Sequence, residues 1–168
     1  YVCEACREIN AKMVYISTDY VFDGKGTKPF EVTDKPDPIN YYGRTKYEGE
    51  LEVHKYLHKY FIVRTSWVFG INGCNFVKTM IRLGKEKGEV SVVSDQIGTP
   101  TYAYDLAKLI VAMCQTDKYG IYHATNEGYC SWYEFACMIF EQARIDIKVM
   151  LLILMNTQQK LGDRKIQE

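Results

Sequence analysis

Short apolar runs alternate with longer amphipathic segments along most of this sequence. The short runs are rich in β-branched and aromatic residues, and so they predict strands. These strands are residues 12–17, 60–65, 89–93 and 120–124. The longer segments repeat apolar residues at helical spacing. These predicted helices are residues 1–10, 40–59, 75–87, 105–115 and 132–144. Because strands and helices alternate, the pattern predicts an α/β fold with a mostly parallel sheet.

Polar residues follow two of the predicted strands directly. The first strand leads into Ser17, Thr18, Asp19 and Tyr20, and the second leads into Ser66 and Trp67. Ligands of parallel α/β sheets bind at the carboxyl ends of the strands. The sequence therefore predicts the functional site at these two strand ends.

The helix predicted at residues 40–59 carries a tyrosine and a lysine in a chemically useful pair. Tyr42 and Lys46 stand four residues apart, so they share one helix face. A neighbouring ammonium helps a phenol to release its proton, and such a tyrosine can protonate a carbonyl that is being reduced. Tyr41 is followed four residues later by Thr45, so only Tyr42 has this lysine.

Other polar residues of the helices fit structural roles. Asn40 is a candidate N-cap for its helix. Ser131 and Glu134 have the spacing of a capping box for the helix at residues 132–144. We interpret the remaining acids of the 40–59 helix as a solvent-facing set: Glu48, Glu50 and Glu52.

Composition and charge limit the classes of partner. The chain has 168 residues, of which 47% are hydrophobic and 25% charged, which is ordinary for one globular domain. Lys+Arg and Asp+Glu number 21 each, so no basic field predicts a nucleic-acid partner. The apolar run at residues 149–155 is shorter than the roughly 20 residues that span a membrane. Small molecules or proteins are the expected partners.

The six cysteines do not suggest a disulfide framework. The chain is larger than the small secreted scaffolds that depend on disulfides, and its sequence shows no signal peptide. We therefore expect a cytoplasmic protein. Cys3 and Cys6 form a C-x-x-C without a second pair, and we interpret them as small apolar helix positions rather than a zinc site. No metal is predicted.

Four motifs together resemble the extended short-chain dehydrogenase/reductase family, whose signature is Tyr-x-x-x-Lys on a helix preceded by Ser or Thr at a strand end. They are STDYVFDG at residues 17–24, YGRTK at 42–46, RTSWVFG at 64–70 and DQIGTPTY at 95–102. Within that family the combination is similar to the dTDP-4-dehydrorhamnose reductases over residues 1–149. The resemblance implies a partial Rossmann-like sheet with helices on both faces, plus a small C-terminal substrate-binding portion.

The resemblance also implies roles for individual residues. Tyr42 is expected to donate a proton to the C4 keto oxygen of dTDP-4-dehydro-β-L-rhamnose, while NADPH or NADH delivers hydride to the same carbon. Lys46 is expected to hold the nicotinamide ribose, with Tyr42 and Ser17 as further cofactor contacts. Thr18 is expected to be catalytic, through a hydrogen bond to the keto oxygen. A homodimer is compatible with this resemblance.

The expected substrate contacts extend beyond this catalytic set. Thr18, Asp19 and Tyr20 are expected to hold the sugar, and Trp67 to pack against the sugar nucleotide. Asn75 is assigned to the substrate site, although substrate contact and support of the loop are equally compatible with its sequence context.

One part of the family pattern does not occur in this sequence. Dinucleotide binding in this fold uses a Gly-rich turn between the first strand and the first helix. None of the twelve glycines forms it, because Gly70 and Gly73 are followed by Phe76 where a third glycine is required. We therefore expect an incomplete Rossmann sheet and a fragment that is weakly active or inactive.

The last residues depart from the family in a different way. We divide the chain into a reductase part at residues 1–149 and an aberrant tail at residues 150–168. Codons can be chosen for residues 155–168 so that another reading frame gives Glu-Tyr-Pro-Thr-Lys-Ala-Arg-Arg-Pro-Lys-Asn-Ser-Arg, which resembles the family's segment at this place. Our hypothesis is that the tail is a frameshift product, and codons in the gene that do not yield this peptide would refute it.

Two alternatives to the reductase remain open at this point. A nucleotide-sugar epimerase or dehydratase shares Tyr-x-x-x-Lys, but would not be expected to carry the STDYVFDG and RTSWVFG motifs together. A non-catalytic sugar-nucleotide or regulatory binding protein can use the same scaffold, as in the regulatory subunit of methionine adenosyltransferase. Oxidation of NADPH with the keto sugar separates the reductase from the binding protein.

Overall fold

A computed structural model describes residues 1–25 and 28–154. The helices are α1 (Val2–Glu8), α2 (Tyr41–Tyr56), α3 (Phe76–Glu86), α4 (Ala103–Cys114) and α5 (Trp132–Ala143), with a 3₁₀ turn at Asp19–Val21. The strands are β1 (Met13–Thr18), β2 (Tyr60–Thr65), β3 (Val68–Phe69), β4 (Glu89–Val93), β5 (Ile97–Gly98), β6 (Thr101–Tyr102), β7 (Gly120–His123), β8 (Cys130–Ser131) and β9 (Lys148–Leu152). Within the described residues the chain divides into two compact units, one at residues 1–65 with 107–124 and the other at 66–106 with 125–154.

The first unit contains a parallel sheet in the order β1-β2-β7. Its register places Ser17 opposite Arg64 and Thr18 opposite Thr65, so β1 and β2 end at the same edge. A core of Val53, Leu57 and Ile62 joins α2 to β2, and partly buried side chains of α1 pack against it, namely Cys3 and Cys6. The apolar interpretation of these two cysteines is therefore confirmed.

The second unit contains three short strand pairs among the described residues. β4 with β9 and β3 with β6 are parallel, whereas β5 with β8 is antiparallel. Apolar side chains of α3, β4 and α5 form its core, among them Met80, Val90 and Phe140. The predicted α/β fold with mostly parallel strands is confirmed.

The helix ends follow their capping residues. Asn40 caps α2, because its side-chain oxygen accepts the N–H of Gly43. Ser131 and Glu134 form the predicted capping box of α5. α2 ends at Tyr56, whereas the sequence pattern extended it to residue 59, and Leu57 already has extended backbone and a buried side chain. In the part of the chain that is described, no helix is long and apolar enough to cross a membrane.

β9 crosses the boundary that we placed between residues 149 and 150. It pairs with β4 as far as Leu152, whose carbonyl accepts the N–H of Ser94 at 2.9 Å. Residues 150–152 therefore belong to a regular strand, although Leu151 and Ile153 are exposed. The frameshift hypothesis concerns residues 155–168, which lie outside the described residues, and the two-part division stays a prediction.

Candidate active site

Thr18 lies at the carboxyl end of β1 and begins the 3₁₀ turn at Asp19–Val21. Its buried hydroxyl accepts the N–H of Tyr20 at 3.2 Å and donates to Oδ1 of Asp19 at 3.0 Å. Partial burial raises the pKa of the Asp19 carboxyl, and the Thr18 bond opposes this. The turn therefore fixes the Thr18 hydroxyl at the strand end where the sequence predicted a site.

The first turn of α2 lies directly against this 3₁₀ turn. A Cβ atom on Gly43 would overlap the backbone carbonyl oxygen of Tyr20, so only glycine allows the approach. The rings of Tyr20 and Tyr42 meet edge to face, with centroids 5.8 Å apart and planes at 75°. The glycine inside Tyr-x-x-x-Lys thus sets how close Tyr42 comes to the end of β1.

Gly43→Ala is expected to lower the free energy of unfolding by about 1 to 3 kcal/mol, as overpacking typically does. The new methyl group must push α2 away from a backbone atom that has no freedom to rotate aside. Urea unfolding of the chain measures the loss. Gly88→Ala is the control, because its Cβ meets open space, and equal midpoints for the two variants would refute the prediction.

Lys46 lies one turn after Tyr42 and faces the same strand. Its Nζ donates to the carbonyl of Ile16 at 2.5 Å and lies 4.3 Å from the ring centroid of Tyr15. The Tyr15 hydroxyl in turn donates to the backbone carbonyl of Lys46 at 3.2 Å. Partial burial lowers the pKa of Lys46, and the negative charge of Glu50 acts in the opposite direction. Two residues of β1 therefore contact this ammonium, Ile16 through its carbonyl and Tyr15 through its ring. The sequence pattern did not single out Tyr15 as a contact of Lys46.

The Tyr42 side chain remains accessible in this arrangement. It is 54% exposed, and no hydrogen bond to its hydroxyl group is found among the described residues. The hydroxyl can therefore meet a solute, while the ring is held by Tyr20 and the helix is held by Gly43.

Glu50 was interpreted as solvent-facing, and the structure shows that this was wrong. It is only 3% exposed, and its carboxylate accepts Nε and Nη2 of Arg64 at 2.9 and 2.6 Å. Ser17 Oγ donates to the same carboxylate at 2.5 Å. Glu50 continues the stripe of Tyr42 and Lys46 by one more turn, which directs it inward. That spacing, together with an arginine inside the apolar strand β2, was the signal in the sequence that Glu50 is buried in an ion pair.

Ser17, a predicted cofactor contact, therefore uses its hydroxyl inside the protein. Ser17 is buried, and its Oγ donates to Glu50. Thr18, the next residue, directs its hydroxyl to Asp19 instead. Successive residues of a strand point to opposite faces, which separates the two hydroxyls. The cofactor role of Ser17 stays a prediction.

The remaining predicted residues, Trp67 and Asn75, lie in the second unit. The Trp67 indole stacks on Trp132 with centroids 3.5 Å apart, and its backbone has a left-handed φ of 48°. Asn75 caps α3 by accepting the N–H of Lys78 at 3.1 Å, and its amide donates to the Gly70 carbonyl at 2.8 Å. Both side chains thus have internal partners, and their substrate roles stay predictions.

A cleft of about 630 Å³ lies within the second unit. It is lined by Phe69, Pro100, Tyr102, Asp105, Asn126, Glu127, Gly128, Tyr129 and Cys130. Asn126 holds one side of it, accepting the N–H of Tyr102 at 2.6 Å and donating to Asp105 at 3.2 Å. The predicted substrate residues of this unit are not part of its lining.

Residues 1–160 match the family model of the RmlD substrate binding domain. This chain belongs to the RmlD substrate-binding domain family. Among curated relatives of this RmlD domain, the spore coat polysaccharide biosynthesis protein SpsK of Bacillus subtilis (strain 168) is 45% identical over 150 residues, covering 89% of this chain and 53% of that protein. The dTDP-4-dehydrorhamnose reductase of Escherichia coli (strain K12) is 43% identical over 148 residues, covering 85% and 50%. The RmlD domain described here thus spans about half the length of these relatives.

Solved structures agree with this membership. The dTDP-4-dehydrorhamnose reductase of Bacillus anthracis str. Ames, crystallised in complex with NADP, is 52% identical with a TM-score of 0.89, covering 91% of this chain and 54% of that one. A UDP-N-acetylglucosamine 4-epimerase from Methanobrevibacter ruminantium M1 is 20% identical with a TM-score of 0.77, covering 95% of this chain and 54% of that one, and this likeness shows the fold alone. The resemblance to dTDP-4-dehydrorhamnose reductases is therefore confirmed for this RmlD domain.

Proposed function

We propose that this chain carries the proton-donating part of an NAD(P)H-dependent reductase that converts dTDP-4-dehydro-β-L-rhamnose to dTDP-L-rhamnose. The observation that carries the proposal is the accessible Tyr42 hydroxyl on the same helix face as the Lys46 ammonium. Relatives that are 43 and 52% identical bear the name of this reductase, which supports the choice of substrate.

Lys46 and Tyr42 of α2, beside the end of β1, can bind the nicotinamide end of such a cofactor. An ammonium has several N–H donors, and Lys46 gives one to the Ile16 carbonyl, which leaves others for ribose hydroxyls. Tyr42 stands one turn earlier, where its hydroxyl can reach the same ligand. NADPH or NADH, when bound, supplies the hydride. The Gly-rich turn that would hold the pyrophosphate does not occur in this sequence.

The chemistry assigned to this chain is the transfer of one proton and the stabilisation of the phenolate that the transfer leaves. A ketone oxygen gains negative charge as its carbon is reduced, and Tyr42 Oη donates the proton that neutralises it. The Lys46 ammonium stabilises the phenolate that remains. Thr18 must exchange its bond with Asp19 for one with the keto oxygen, and its remaining bond from the Tyr20 N–H keeps it in place meanwhile.

Further parts of the proposal concern partners and place. Asp19 and Tyr20 border Thr18 and are assigned to the sugar, and Trp67 and Asn75 to the rest of the sugar nucleotide. We assign no nucleic-acid, membrane or metal partner. A homodimer is part of the proposal, as the family resemblance allows. A cytoplasmic location completes it, because the sugar nucleotide and NAD(P)H are both soluble metabolites.

A chimera tests the proposal directly. Residues 1–149 replace the segment that they match in the Bacillus anthracis reductase, so that the front of that enzyme supplies the remaining sheet. We expect NADPH oxidation that depends on the keto sugar, measured as the loss of NADPH absorbance. A chimera that binds NADPH and dTDP but oxidises no NADPH would contradict catalysis and favour a non-catalytic binding protein.

A further inference from the structure

Glu50, Arg64 and Ser17 form a buried charged cluster that the proposed chemistry does not use. The side chains of Glu50 and Arg64 are 3% and 4% exposed. The guanidinium donates to both carboxylate oxygens, and the Ser17 hydroxyl donates to one of them. Such a bidentate pair is both strong and directional.

The cluster joins three elements at the edge of the sheet where the candidate site lies. Ser17 and Arg64 are paired residues of β1 and β2, each next to the last residue of its strand. Glu50 belongs to α2 and stands one turn beyond Lys46 on the same face. One carboxylate therefore sets the position of α2 over both strand ends.

We propose that Glu50 is a positioning residue for Lys46: anchored by Arg64 and Ser17, it fixes the lysine over the end of β1 and holds a negative charge one turn away from its ammonium. This proposal rests on the proposed function, which assigns Lys46 to the cofactor ribose and to stabilisation of the Tyr42 phenolate. Glu50 itself is not assigned to touch substrate or cofactor.

The charges around Lys46 make this role measurable. The Tyr15 ring and the Ile16 carbonyl face its ammonium from β1, and Tyr42 and Glu50 share its face of α2. Arg64 reaches the same region from β2, but Glu50 neutralises it. Burial lowers the pKa of Lys46, and Glu50 opposes this. Removing the carboxylate deletes the opposing charge and leaves the Arg64 cation without its partner, and both changes lower the pKa of Lys46.

The test is an NMR titration of the whole chain labelled with ¹³C-lysine, in which the Cε shift of Lys46 is assigned with Lys46→Arg. In Glu50→Gln we expect the Lys46 midpoint to fall by at least about half a pH unit relative to the unmodified chain. Glu48→Gln is the matched control, because Glu48 lies on the same helix in an exposed pair with Arg44. In this variant the midpoint of Lys46 should not move. Equal Lys46 midpoints in the two variants overturn the proposal.

Arg64→Met provides a second arm in case Glu50→Gln does not fold, as judged by circular dichroism. It leaves the Glu50 carboxylate without its cation, so the midpoint of Lys46 should rise; an unchanged midpoint overturns the proposal. The titration needs neither substrate nor turnover. An inactive chimera together with shifted Lys46 midpoints would therefore overturn the proposed function and leave the positioning role standing.

Discussion

Glu50→Gln is expected to lower the free energy of unfolding by about 3 to 5 kcal/mol, the range found when one partner of a buried ion pair is removed. The reason is that the Arg64 guanidinium, 4% exposed, would keep its charge without a carboxylate to neutralise it. The Ser17 hydroxyl would donate to an amide oxygen instead of a carboxylate, which makes its hydrogen bond weaker. Urea unfolding of the 168-residue chain measures the effect.

Two control variants distinguish burial from mere loss of charge. Glu48→Gln removes an exposed partner of Arg44 and should cost at most about 0.5 kcal/mol. The double variant Glu50→Gln/Arg64→Met should recover much of the loss, because an apolar replacement of both partners removes the unpaired charge. Equal losses for Glu50→Gln and Glu48→Gln would contradict the structural account.

Local patterns were sufficient for most of the fold. The apolar runs of β1, β2, β4 and β7 are short and contain β-branched or aromatic residues, and each forms a strand close to its predicted bounds. The capping box of Ser131 and Glu134 marked the start of α5 correctly, because its two hydrogen bonds depend only on residues three apart. The pairing of β9 with β4 was missed, since it joins segments far apart in sequence.

The site was predictable only where its parts are close in sequence. Tyr42 and Lys46 share a face because helix geometry requires it. Glu50 follows the same spacing, but its burial depends on Arg64, which approaches only when β2 pairs with β1. Trp67 similarly stacks on Trp132, a residue of the distant helix α5. Contacts of this kind require the tertiary structure.

Tyr42→Phe in the chimera is expected to reduce kcat by about a hundredfold to ten-thousandfold, the usual contribution of a general acid. The substitution removes only the hydroxyl, and the ring can keep its edge contact with Tyr20. Binding of dTDP-L-rhamnose should therefore change little, because the hydroxyl acts on the ketone as it is reduced. Steady-state NADPH oxidation gives kcat, and calorimetry with the product gives the affinity.

Tyr41→Phe is the matched control, since Tyr41 is the adjacent residue, is 83% exposed and has no lysine four residues later. The most direct test of the account is the kcat of the Tyr42→Phe chimera divided by that of the Tyr41→Phe chimera. A ratio of about one hundredth or less is predicted. A ratio close to one would contradict the assignment of Tyr42 as the proton donor.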